Sequence, residues 1–199
     1  MAAMSPASAN DPRAREVLSF WFGEGPERGN PRNAWFRKDP AFDAEILSRF
    51  LALYEQAAAN RLAAWTERAG ECLALVIVLD QFPRNMFRGT ARAFASDALA
   101  LESARRAVGR GYDAGWLAVE RLFFYLPFEH SESLEDQWRA LALIGPLAAW
   151  PETADVYGYA VRHWEVIRRF GRFPHRNATL GRASTPQEVE FLKTPGSGF

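Results

Sequence analysis

The 199 residues carry 24 basic and 24 acidic side chains, giving a formal net charge of zero, and 48% of them are hydrophobic. That composition excludes a disordered chain and lacks the basic footprint of a nucleic-acid binder. The length suits one domain with a self-sufficient core, and the single cysteine, Cys72, excludes an intrachain disulfide and any multi-cysteine metal site.

Residues 1–11 are small and polar and are expected to fray, leaving one domain over 12–199. Met1 to Arg15 has no basic stretch followed by an apolar core, so no secretory signal is expected. The longest apolar run, Cys72 to Leu79, is far too short to span a bilayer. The chain is therefore read as cytoplasmic, with neither a membrane nor a nucleic acid as partner.

Val17 to Phe22 reads as a short aromatic helix stopped by Gly23 and Gly25, and Gly25 to Asn33 as a loop. From Asp39 a helical period is clear: Phe42, Ile46, Phe50, Leu53, Tyr54 and Ala57 share one face, and Pro40 suits a first turn. Glu71 to Asp80 is apolar nearly all round. Periodicity alone allows a buried strand there, but no second strand candidate exists to pair with it, so a central buried helix is expected.

Ser96 or Asp97 caps a helix bearing Leu101, Ala104 and Val108 and ended by Gly109 and Gly111. Gly115 to Leu126 is a buried helix with Trp116, Val119, Leu122 and Phe123 inward. Ser133 with Asp136 reads as a capping box for the next helix, Thr153 to Phe170 forms another, and Thr185 with Glu188 opens a last short one. The expected fold is all-α, with about seven antiparallel helices in a tetratricopeptide-like superhelix or bundle.

Three apolar segments run into a proline followed by charged side chains: Asp80-Gln81-Phe82-Pro83-Arg84-Asn85, Leu126-Pro127-Phe128-Glu129-His130 and Arg172-Phe173-Pro174-His175-Arg176-Asn177. Proline disfavours the helical conformation of the residue before it, so each stretch reads as a buried helix ending in a polar corner. His163 follows Val156 and Ala160 at i+7 and i+3, which points its imidazole inward, either as a core histidine or into a pocket. His175 and Arg176 fit an anion site as well as they fit a cationic helix end. Glu129 and His130, placed just before the helix at Ser133, read as an acid and base pair. Asp80 reads as a structural partner of Arg84 or Arg88. No paired-histidine spacing, phosphate loop or nucleophile elbow occurs, so neither a metal nor another cofactor is expected.

The strings Leu79-Asp80-Gln81-Phe82-Pro83-Arg84-Asn85-Met86-Phe87-Arg88-Gly89-Thr90, Tyr125-Leu126-Pro127-Phe128-Glu129-His130-Ser131-Glu132 and Arg169 to Asn177 resemble the signature of a bacterial family labelled domain of unknown function 924. The likeness extends from Val17 to the closing Pro-Gly-Ser-Gly-Phe. It implies an all-α fold similar to tetratricopeptide superhelices, and it brings no assigned activity or catalytic residues.

Two functions fit these residues. The first is a pocket for a small anionic metabolite, a carboxylate or phosphate, with or without catalysis. Arg84, Asn85, Arg176 and Asn177 would hold the anion, Trp35, Phe36 and Lys38 would stand at the mouth, and His130, His163 or His175 would move a proton with Glu129. The second is a non-catalytic helical-repeat module that binds a peptide or protein partner. An enclosed cavity holding several titratable groups favours the first.

Overall fold

The computed structural model describes residues 9–198; the expected fraying of residues 1–8 lies outside them. Residues 9–11 are not frayed. Ala9 is fully buried against Gly70, where an added Cβ would meet the Ala9 backbone at 3.0 Å. Glu71 accepts the amides of Asn10 and Asp11 at 2.7 and 3.2 Å.

Among the described residues there are eight helices and no strands. Helix α1 spans Pro12–Phe22 and α2 Pro40–Ala58, each capped by an aspartate, Asp11 and Asp39, with proline in the first turn. Helix α3 runs over Ala69–Val76, continues as a π turn over Ile77–Gln81 and resumes over Phe82–Met86. Then follow α4 (Asp97–Gly109), α5 (Ala118–Glu129), α6 (Leu134–Ile144), α7 (Val156–Phe170) and α8 (Pro186–Leu192). From α3 to α7 each helix packs on the next, while α1 and α2 pack on α3. The apolar run in α3 is thus the centre of the core, as its all-round hydrophobicity demands. Trp21, Phe22, Trp35 and Phe123 form an aromatic knot beside it, with ring centroids 5.0 to 6.0 Å apart. A smaller cluster of Val166, Ile167 and Phe173 lies under the C-terminal residues.

At two of the three corners the proline lies inside the helix and not after it. Pro83 sits inside α3 and Pro127 inside α5. A proline in a helix removes one N–H and orphans a carbonyl four residues back. At Pro83 that carbonyl belongs to Leu79, and the hydroxyl of Ser96 donates to it at 2.6 Å. The preceding π turn shifts the register, so that Phe82 N–H bonds to Ile77 O. Ser96 is therefore committed to α3, and it caps α4 with no side-chain bond. The third corner does lie outside a helix, but Gly171 stops α7, in the left-handed conformation (φ 68°), three residues before Pro174. The capping box at Thr185 and Glu188 forms. The one expected at Ser133 does not: Asp136 instead accepts from Ser131 and Arg105.

Candidate functional site

A cavity of about 740 Å³ opens where the C-terminal end of α3, the length of α5, the face of α7 and the 173–176 turn converge. Gly196 and Gly198 of the C-terminal segment complete its wall. A second hollow of about 390 Å³, against α2, α3 and α4, is lined chiefly by apolar residues with the exposed Glu67–Arg106 pair at its edge. Only the larger one gathers buried titratable groups.

Behind its wall, bonded to the lining residues Gln81, Arg84 and His130, lies Asp80, on the π turn and 1% exposed. Burial alone would raise its pKa. Arg84, then His130 and Gln81, outweigh that and hold the carboxyl below the ordinary range. Arg84 Nη1 lies 3.2 Å from it, and Gln81 donates at 2.6 Å. His130 Nδ1 lies 2.8 and 3.0 Å from the two carboxylate oxygens. An ionised carboxylate only accepts, so Nδ1 carries the hydrogen and Nε2 holds the lone pair. Burial first, then Arg84, lower the pKa of His130 and keep the ring neutral, although Asp80 opposes them. The pair is an imidazole base fixed by a buried carboxylate, an arrangement known from hydrolytic triads.

Glu129 is the last residue of α5, shortly before α6, and is 4% exposed. Burial, then the Asp80 charge, push its pKa up to about 8. It is a carboxylic acid at neutral pH. His163 is also buried, and burial takes its pKa down to about 3. Its Nδ1–H donates to the Tyr159 carbonyl at 2.9 Å and lies 3.1 Å from Glu129 Oε1. That contact joins two neutral groups. His163 is thus both the backbone-bonded core histidine and a pocket residue.

Arg176, in the short turn after Pro174, is 7% exposed and sandwiched between Phe94 and Phe173 at 4.7 and 4.4 Å. Its one ion pair among the described residues is long, 3.4 Å to Asp97, and its Nε is buried with no hydrogen-bond partner there. Burial, then Arg84, bring its pKa down to about 10. The adjacent His175 is lowered to about 4 by burial, then by Arg176. Arg84 differs: it is held bidentate by Asp97 at 2.8 and 3.0 Å as well as by Asp80.

The expected site residues therefore divide. Glu129, His130, His163, His175, Arg84, Asn85, Arg176 and Trp35 line one cavity, together with Phe36. Asn85 is turned to Asp43 at 2.7 Å. Trp35 Nε1 donates to the Trp21 carbonyl. Asn177 is fully buried behind the cavity, bonded to Ser184, Glu188 and Arg182. Lys38 is exposed and lies outside the lining. Sequence reasoning missed the second roles of Asp80 and Asp97. A carboxylate ending an apolar run was the available signal for Asp80, whereas the helix-capping role expected of Asp97 concealed its pairing with two arginines. Among the described residues no group of three His, Cys, Asp or Glu is placed to hold a metal ion. No helix there is long and apolar enough to cross a membrane.

No curated protein matches the chain. A solved structure of a protein of unknown function from Agrobacterium tumefaciens is similar to it, with 42% identity and a TM-score of 0.81, covering 91% of this chain and 97% of that one. Residues 17–196 match the model of a family described as bacterial protein of unknown function (DUF924), and the chain belongs to that family.

Proposed function

We propose that the cavity binds a small anionic metabolite and serves acid and base chemistry on it. The observation that carries this reading is Arg176: a buried guanidinium, poorly paired and facing a cavity, is stabilised by an incoming anion. Around it stand the two proton-transfer partners a reaction needs. His130 Nε2 is a neutral base positioned by Asp80, and Glu129 is an acid that keeps its proton at pH 7. Among the described residues the cavity lining contains no serine, threonine or cysteine, so covalent catalysis by those nucleophiles is not part of the proposal. A cytoplasmic setting is part of it, and Cys72, buried with its thiol pushed up to about 12, would be inert there.

The test is binding of a panel of small carboxylates and phosphates to the wild type and to Arg176→Lys, read by calorimetry. Lysine keeps the charge and removes the fork. The expected result is binding to the wild type that falls roughly ten- to a hundredfold in the variant, equivalent to about 1.5–3 kcal/mol. A wild type that binds no small anion, but retains a peptide or protein, establishes the interaction-module alternative instead.

A further inference from the structure

The cavity changes from an apolar to a polar lining along α5. Along α5, Leu122 and Leu126 line it one turn apart, and Glu129 and His130 follow at the helix end. At 1.5 Å per residue, the run from Leu122 to His130 covers about 12 Å. Helix α7 lines the cavity from Val156 to His163. Trp35 and Phe36 lie at the apolar end, since both rings pack on Phe123, the neighbour of Leu122, at 5.0 and 6.2 Å. The exposed Asp155 and Arg162 stand at the rim.

The charge at the polar end limits the head group. Arg84 is held by both Asp80 and Asp97, whereas Arg176 has a single long contact among the described residues, so one poorly paired guanidinium faces the cavity. A carboxylate brings one negative charge, which that guanidinium matches. A phosphate dianion brings two, and burying the second without a partner is costly.

We propose that the ligand is an amphipathic carboxylate, its head at Arg176 and an aliphatic or aromatic body of about 10 Å lying along Leu122, Leu126 and Phe36. This rests on the anion-binding reading and adds the rest of the molecule to it.

Calorimetry on the full chain with butanoate, hexanoate and octanoate tests it. Each methylene buried on the apolar wall tightens binding about fourfold, so octanoate binds roughly a hundredfold or more tighter than butanoate. Phe36→Ser is the variant of choice, because Phe36 is 63% exposed and contributes little to the fold. It weakens octanoate several-fold and leaves butanoate unchanged. Equal affinity along the series overturns this inference and leaves the anion site standing. Tighter binding of octyl phosphate overturns the carboxylate head. Octylamine binding as tightly as octanoate overturns the anion site as well, as does the failure of every alkanoate and of octyl phosphate to bind.

Discussion

Stability should fall as pH rises from 6.5 to 8, and Glu129 should be the cause. Its pKa is raised from an ordinary 4.5 to about 8 in the folded chain, so between those values the folded state holds a proton that the unfolded state has lost. Stability then decreases with pH at about 1.4 kcal/mol per pH unit. The buried histidines act with the opposite sign. Their folded pKa values lie below the ordinary 6.5, with His163 at about 3 and His175 at about 4, so their contribution grows as pH rises and is nearly complete about one pH unit above 6.5. The two effects oppose each other up to about pH 7.5, so the Glu129 part is read as the difference between the wild type and Glu129→Gln, about 1.5 kcal/mol between pH 6.5 and 8. At about 2–4 °C per kcal/mol for a chain of this size, the gap in melting temperature between the two proteins changes by about 3–6 °C across the window. Cys72, raised from 9 to about 12, adds a further decline only above the window. The assay is thermal denaturation by circular dichroism in matched ionic strength. Glu129→Gln, a permanent mimic of the neutral acid, should leave only the rise that the histidines produce. An unchanged slope in the variant refutes the assignment of Glu129 as a buried acid.

Asp80→Asn removes the charge shared by Arg84 and His130. Breaking a buried ion pair costs about 3–5 kcal/mol, and since Arg84 keeps Asp97 the lower figure applies, or about 6–12 °C in melting temperature. A shift under 1 °C would show that the carboxylate is not buried with them. Ser96→Ala leaves the Leu79 carbonyl without its hydroxyl donor beside Pro83 and should cost about 1–3 kcal/mol by urea denaturation. The further change Pro83→Ala, which restores a backbone N–H, should recover part of that loss; no recovery would mean that the hydroxyl is not compensating for the proline. Nitrogen-15 chemical shifts of His130 should report a hydrogen on Nδ1 from pH 6 to 8, and the opposite tautomer would remove Nε2 as the base.

The all-α fold was legible in the chain because the period of α2 and the unbroken apolar run of α3 admit few alternatives. The convergence of the three signature strings was legible too, since each ends a segment that must pack on one core. What the sequence concealed was tertiary compensation. The rule that a helix stops before proline failed at Pro83 because the Ser96 hydroxyl, 17 positions beyond Leu79, supplies the missing donor to the Leu79 carbonyl. Pairing was likewise hidden: nothing local distinguishes Arg84, neutralised by two aspartates, from Arg176, held by one long contact. The same holds for Asn85 and Asn177, adjacent to arginines in similar strings, of which one lines the cavity and the other is bonded behind it.

The most direct measurement is a crystal structure of the protein grown with a saturating alkanoate. The account predicts carboxylate density within about 3 Å of the Arg176 guanidinium, with the chain lying along Leu122 and Leu126. A cavity holding only water, or a carboxylate bound to Arg162 at the rim with Arg176 untouched, would contradict it.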